Sequence, residues 1–215
     1  EGCRSYDVMP DRRGPALFAL CLDSTEVGLG RFVKKSDGWE RQMNYETAFA
    51  WNEAALDTAR RKILVPHGLQ RKIYVFDEGE KAPSRIFDIP GESFPVVDDA
   101  IMAAADSTRG LAVIADRHGL LTAFDTESLD TVATTVVNPV AQGVQRLWMD
   151  EDRGELYALD SDTLFVFSAG DLKPLHSKRM IGFAAGIVFD PVTDRLIISF
   201  PQLCAVGAYD RKSLK

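Results

Sequence analysis

The stretch that decides the fold is "DSTRGLAVIADRHGLLTAFDTES", residues 106–128. The stretch begins with an aspartate and a short turn. It continues with an apolar strand, a polar turn and an alternating strand that ends in Phe124. Period-2 alternation with β-branched and aromatic residues between turn clusters is typical of strands rather than helices. The stretch therefore predicts two consecutive β-strands joined by a polar turn.

Both ends of this stretch recur along the chain, at intervals of roughly 45 residues. Its aromatic end reappears as "GLGRFVKKS", "IYVFDEGE", "LFVFSAGD" and "VGAYDRKS", which gives the aromatic series Phe32, Phe76, Phe124, Phe167 and Tyr209. Its opening aspartate recurs in phase as Asp11, Asp57, Asp106, Asp150 and Asp190. Two markers that stay in phase through five copies indicate an internal repeat. We expect the aromatic series to form core between the repeats.

Between these markers every unit is predicted to contain four short strands, a to d, so the repeat is all-β. In the second unit strand a is predicted as "AFAWNEA", residues 48–54. A period of about 40–50 residues with four strands is the signature of a β-propeller blade. The predicted fold class is an all-β, β-propeller chain with about five four-stranded blades, at 5–47, 48–97, 98–141, 142–183 and 184–215.

The last unit contains strands a, b and c but no strand d. Propellers usually complete one blade from both chain ends, and neither end of this sequence carries a spare strand. We therefore expect a piece of a larger propeller rather than a closed five-bladed ring. Residues 1–215 are accordingly predicted to form a single propeller domain or a fragment of one.

The fifth unit, "GIVFDPVTDRLIISF" followed by "VGAYDRKSLK", resembles a repeat of the YVTN-type propellers. That group is similar in blade pattern to the quinoprotein amine dehydrogenase-like and lactonase-like propellers, and the likeness extends over all five units. The resemblance implies a funnel-shaped ring of about six to eight blades, with strand a lining the axis. It also implies that ligands bind on the face formed by the d–a and b–c loops.

Composition excludes two classes of partner. The net charge is −7 and the basic residues are scattered, which argues against nucleic acid. No apolar run approaches the roughly 20 residues of a membrane span. The sequence begins Glu1-Gly2-Cys3, so either a signal peptide has been removed or the chain is a fragment, and a secreted or periplasmic location is favoured over others. Cys3, Cys21 and Cys204 allow at most one disulfide.

The predicted d–a and b–c loops hold the candidate ligand or partner face. His67 and His118 occur in b–c turns of neighbouring units. Imidazoles and carboxylates there are suitable metal ligands or acid–base groups, but Asp and His are also typical of solvated turns, and no H-E-x-x-H spacing is present. The b–c turns also contribute Asp23, Glu26, Asp116, Asp160 and Asp162, and the d–a positions contribute Glu46, Asp98, Asp99, Gln142 and Gln145.

The aspartates that recur at the a–b turns have a different interpretation. Asp57, Asp106, Asp150 and Asp190 occur once per unit, which distributes them around a propeller instead of bringing them to one substrate. Aspartate side chains commonly accept hydrogen bonds from nearby backbone N–H groups in turns. We therefore expect these four residues to cap turns.

Two function classes remain open from the sequence. The first is a non-catalytic propeller that binds a protein partner or a small ligand through its loop face, and the absence of a nucleophile–base or metal motif favours it. The alternative is a lactonase-like or amine-dehydrogenase-like enzyme with an axial metal or cofactor site. No cofactor is predicted, with a divalent cation as the lesser alternative, and enzymatic activity is not favoured.

Overall fold

In the computed structural model, the described backbone covers residues 4–11, 14–22, 27–45, 53–67, 70–89, 102–116, 118–137 and 143–215. Nineteen β-strands within these residues form five sheets. The first contains β1 (Arg4–Asp11), β2 (Ala16–Leu22), β3 (Val27–Lys35) and β4 (Gly38–Tyr45). The second contains β5 (Ala55–Asp57), β6 (Lys62–His67), β7 (Lys72–Asp77) and β8 (Arg85–Asp88).

The remaining sheets repeat the same plan. The third contains β9 (Met102–Asp106), β10 (Leu111–Ala115), β11 (Leu120–Asp125) and β12 (Thr131–Val136). The fourth contains β13 (Arg146–Asp150), β14 (Glu155–Asp160), β15 (Thr163–Ser168) and β16 (Pro174–Arg179). The fifth contains β17 (Gly186–Asp190), β18 (Arg195–Phe200) and β19 (Ala205–Asp210).

The sheets are β-propeller blades, because the order of strands across each sheet follows the order along the chain. Four blades have four strands and the fifth has three, so the predicted all-β propeller with an incomplete last blade is confirmed. The one described helix is a 3₁₀ turn at Pro201–Leu203. No helix in these segments has the length and apolarity that crossing a bilayer requires.

The chain divides into two compact units, Glu1–Ala112 and Val113–Lys215. In the first unit an apolar core contains residues of the first and second sheets. The ring of Tyr45 lies 5.4 Å from that of Phe76 and 6.2 Å from that of Phe18, measured between centroids. The buried members of this core are Phe18, Leu29, Tyr45, Ala54, Ile63, Val65 and Phe76.

The second unit has a corresponding core between the fourth and fifth sheets. Trp148 links the two sheets, because its ring centroid lies 5.2 Å from Tyr157 and 5.5 Å from Phe189. The buried members of this core are Tyr157, Leu159, Leu164, Val166, Met180, Ala184, Leu196, Ile198, Phe200 and Leu214. Face-to-face packing of neighbouring blades removes both faces of a sheet from water.

The recurring aromatic residues occupy equivalent buried positions in three blades. Phe76, Phe124 and Phe167 are each the second-last residue of strand c, and all three are buried, which confirms the core prediction for them. Phe32 and Tyr209 are only half-buried. Tyr209 lies on β19, the outermost strand of a three-stranded sheet, so fewer neighbours cover its ring.

One predicted strand is misplaced. Strand a of the second blade is β5, at Ala55–Asp57, rather than residues 48–54, of which 48–52 lie outside the described residues. β5 ends at the recurring aspartate, as β9 ends at Asp106, so the aspartate marks the strand end better than the aromatic run before it. Cys204 is an exposed free thiol, and the side chains of the other two cysteines lie outside the described part.

Candidate functional site

The recurring aspartates cap the a–b turns. Asp57, Asp106 and Asp150 each accept a hydrogen bond at Oδ1 from the backbone N–H of the arginine three residues later, at 3.0, 3.0 and 3.2 Å. Asp190 accepts one from Val192 N at 3.0 Å. The first three aspartates are buried, and their carboxylates satisfy turn N–H groups that would otherwise lack a partner. The predicted capping role is confirmed.

In the first unit one of these turns is completed by the following blade. The guanidinium of Arg60 bonds Asp57 and also donates from Nη1 to the carbonyl oxygen of Ser107, at 3.1 Å. The Ser107 hydroxyl accepts a hydrogen bond from Thr58 N at 3.0 Å and donates one to Leu56 O at 3.4 Å. The side chain and backbone of one serine therefore fix the turn of the preceding sheet.

In the second unit Arg211 has the corresponding role. Its Nη1 lies 2.9 Å from Asp150 Oδ2, and its Nη2 lies 2.8 Å from Asp194 Oδ1. The guanidinium also lies over the ring of Phe189, 4.6 Å from the centroid, which is cation–π distance. One arginine after the last strand thus joins turns of the fourth and fifth sheets.

The predicted b–c turn residues lie in b–c turns, but several are buried rather than solvated. His67 ends β6, and its Nδ1 accepts a hydrogen bond from Gln70 N at 3.3 Å. Burial lowers the pKa of His67 from its usual value of 6.5. Asp116 caps its turn, because Oδ1 accepts from His118 N and Leu120 N, both at 2.9 Å. His118 itself is exposed.

The fourth blade places its predicted residues around one turn. Asp162 accepts hydrogen bonds from Thr163 Oγ1 and Arg179 Nε, both at 3.0 Å. Both bonds lower the pKa of Asp162, and the bond from Thr163 has the larger effect. Asp160 ends β14 and is buried. Gln145 precedes β13 and donates its backbone N–H to Leu159 O at 2.7 Å. The interpretation of these residues as solvated turn residues does not hold for His67, Asp116 and Asp160, because all three are buried.

The other candidate face residues are not described. Glu46, Asp98, Asp99 and Gln142, with Asp23 and Glu26, lie outside the described residues. Among the described side chains no three His, Cys, Asp or Glu residues are grouped so that they could hold a metal ion. The assignment of the d–a and b–c loops as the ligand face stays a prediction.

Sequence reasoning missed a polar groove in the first unit. The groove has a volume of about 530 Å³ and lies between strands β3 and β4 of the first sheet and the turns of the second. A smaller recess of about 260 Å³ adjoins it near the first a–b turn and shares Arg31 and Glu78 with it. The two residues therefore form a common wall between the groove and the recess.

Glu78 is held between two arginines at this wall. Its Oε1 lies 3.4 Å from Arg31 Nε and its Oε2 lies 3.3 Å from Arg61 Nε, while only 7% of its side chain is exposed. Arg31 also donates from Nη1 to Gln42 Oε1 at 2.7 Å. Gly79 follows at φ +101°, in the region that favours glycine, so the c–d turn can bend directly after Glu78.

A second feature of the groove is a stacked pair on the first sheet. The guanidinium of Arg41 lies 5.7 Å from the centroid of the Phe32 ring. Gly30 makes room for this pair, because a Cβ there would lie 2.8 Å from Phe32 Cε2 and 3.1 Å from Arg41 Nε. The only sequence signal for the groove is the density of charge in "GRFVKK" and "WERQM", which does not reveal that Glu78 of the next repeat joins it.

No family model matches the chain, and no curated protein matches it either. The likeness to YVTN-type repeats therefore rests on the blade pattern alone.

Proposed function

We propose that this β-propeller is a non-catalytic binding module that holds a protein partner or a small ligand on a preformed surface. The groove of the first unit is the observation that carries the proposal. Its Arg31, Arg61 and Glu78 side chains are held by reciprocal ion pairs. A surface that is ordered before binding loses little conformational entropy when a ligand arrives, so it suits recognition.

The predicted d–a and b–c loop face is the second candidate surface. It is favoured by the exposure of His118 and by the half-exposed carboxylate of Asp162, both at b–c turns that hydrogen bonds hold in place. Such turns can present polar groups to a partner without reorganising.

The alternative is a lactonase-like or amine-dehydrogenase-like enzyme, which needs carboxylates, amides or cofactor ligands that converge near the propeller axis. Several of the described carboxylates are instead engaged by backbone N–H groups of their own turns. Asp57, Asp106, Asp116 and Asp150 each accept at least one backbone hydrogen bond. That engagement supports a structural role for these four side chains.

Site-specific photo-crosslinking tests the binding role and locates the surface. A photoreactive phenylalanine analogue replaces Met43 in the groove, His118 in the loop face, or Val132, which is exposed on β12 and belongs to neither surface. Each variant is irradiated in an extract of the source cells. We expect one discrete adduct at Met43, resistant to dilution, and none at Val132. An adduct at His118 alone would move the binding role to the loop face, and equal labelling at all three positions would overturn the proposal.

Thermal unfolding with calcium or with chelator tests the enzyme alternative. A ligand that binds only the native state raises stability by RT ln(1 + [L]/Kd), so a resident cation would raise Tm in proportion to its occupancy. We expect the Tm to be the same with calcium and with chelator. A rise of several degrees with calcium, removed by chelator, would support the metal-dependent enzyme instead.

A further inference from the structure

The groove of the first unit contains more positive than negative charge, although the whole chain is acidic. Arg31, Arg41 and Arg61 line it together with Glu40 and Glu78. Glu78 already shares its charge between two of the arginines. The carboxylate of Glu40 lies 3.7 Å from Lys35 Nζ, so it is paired away from the arginines. The balance leaves a local cationic excess within a protein of net charge −7.

Two arginines in the groove keep donors for a ligand. Arg41 stacks on Phe32, and among the described residues no carboxylate forms an ion pair with it. Arg61 uses Nε for Glu78, while 65% of its side chain is exposed. A guanidinium presents several N–H donors in a planar fork that matches a carboxylate or phosphate bidentately. Both side chains are therefore suited to anions.

The shape of the groove favours an extended chain over a single small anion. Residues 40–43 of β4 line it consecutively, which at about 3.3 Å per residue gives a wall of about 10 Å. β4 is the outermost strand of its sheet among the described strands, and most of its side chains are exposed. An outer strand presents backbone N–H and C=O groups to which an extended peptide can pair.

We propose that this groove binds an acidic, extended peptide segment of a partner protein, which lies beside β4 with its carboxylates on Arg41 and Arg61. The inference rests on the proposed binding function and specifies its ligand. The Arg31–Glu78 pair forms one end of the site and separates it from the smaller recess. Main-chain pairing along β4 supplies affinity, and the two arginines select acidic side chains.

Fluorescence anisotropy with defined peptides tests whether the groove binds an acidic, extended peptide. The probe is a short labelled peptide of alternating glutamate and threonine, and the matched control replaces each glutamate with glutamine. We expect the glutamate peptide to bind at least about tenfold more tightly, which is one decade in Kd. We also expect the affinity to fall as salt is raised, because exposed charges are screened.

Arginine variants locate the binding. Arg41→Gln and Arg61→Gln should each weaken the glutamate peptide about five- to tenfold, since each removes a charge-assisted donor set. Arg179→Gln is the matched control, because Arg179 is an exposed arginine on β16 in the other unit. It should leave binding unchanged, and the Tm of all three variants should confirm that they fold.

The outcomes separate the two proposals. Equal binding of the glutamate and glutamine peptides, or equal losses in Arg41→Gln and Arg179→Gln, would overturn the acidic-peptide proposal. Competition with other anions is a further test of the acidic-peptide proposal. The proposal would be overturned if inorganic phosphate or a short oligonucleotide displaced the probe at a lower concentration of negative charge than the unlabelled glutamate peptide requires. If the peptides fail while the Met43 crosslink persists, the ligand chemistry is wrong and the binding role remains. If the peptides do not bind and no Met43 crosslink forms, the acidic-peptide proposal and the binding function of the groove are both overturned.

Discussion

The guanidinium of Arg211 lies 2.9 Å from the carboxylate of Asp150, with 13% and 3% of the two side chains exposed. The first residue follows the last strand, and the second ends strand a of the fourth sheet. A charge pair this well covered is weakly screened by water, so its loss leaves an uncompensated buried charge. The contact joins two sheets of the second unit through their turns.

Arg211→Met should lower the free energy of unfolding by about 3 kcal/mol, because Asp150 would keep a buried charge without its partner. Asp150→Asn retains an Oδ1 acceptor for Arg153 N and removes only the charge. Denaturant titration of both single variants and of the double variant gives the coupling energy. Additive losses would contradict the contact. Arg179→Met, which breaks the exposed pair with Asp162, should give no measurable loss.

Phe124→Ala should lower the free energy of unfolding by about 3–5 kcal/mol, because it empties a fully packed position in the third sheet. Val132→Ala, on the outer strand of the same sheet and 48% exposed, is the control and should change stability by less than about 1 kcal/mol. Urea titration measures both. Similar small losses at the two positions would mean that the register of β11 is wrong.

The buried imidazole of His67 should make stability depend on pH near neutrality. Its pKa is lower in the folded chain than the usual 6.5, so the unfolded chain takes up the proton first as the pH falls. The stabilisation is complete above about pH 6.5 and decreases as the pH drops toward the folded pKa. Between about pH 7.5 and 5.5 the Tm of the wild type should therefore fall more than that of His67→Gln.

The comparison isolates one side chain, because the wild type and His67→Gln share all their other titrating groups. The difference between the two pH slopes therefore reports the imidazole of His67. A His67→Gln slope equal to that of the wild type would refute the burial of this side chain.

Gly110→Ala should destabilise the turn after β9 by about 1–3 kcal/mol. Gly110 has φ +68°, and a Cβ there would overlap the guanidinium of Arg60, which Asp57 and Ser107 hold in place. Gly170→Ala is the matched control, because nothing lies within 4 Å of its added Cβ. Thermal unfolding measures both, and equal Tm values would show that Arg60 moves aside without penalty.

The parts of this structure that local chemistry determines could be predicted from the sequence. An aspartate that bonds the N–H three residues later depends only on its own turn, so the caps at Asp57, Asp106 and Asp150 were predictable. The blades follow from the same repeats. Strand a of the second blade was misplaced because the aromatic run before residue 53 has high strand propensity, whereas β5 is short and alanine-rich.

The groove could not be predicted, because it depends on contacts between repeats. Arg31 and Glu78 belong to successive blades, and neither shares a spacing or motif with the other. The burial of His67 and Asp116 could not be predicted from the sequence either. Polar turn residues are buried only where hydrogen-bond partners are available inside the fold. Local patterns determine strands and turns, while burial depends on what packs against them.

The serine at position 107 makes the a–b turn of one blade depend on the blade that follows. Because Thr58 N and the Arg60 side chain both bond Ser107, opening the third sheet would leave the second without these partners. Amide exchange at Thr58 should therefore report cooperative opening of two sheets together rather than fraying of one. An inserted segment or a circular permutation point would be tolerated poorly between residues 57 and 60, where it would uncouple adjacent blades.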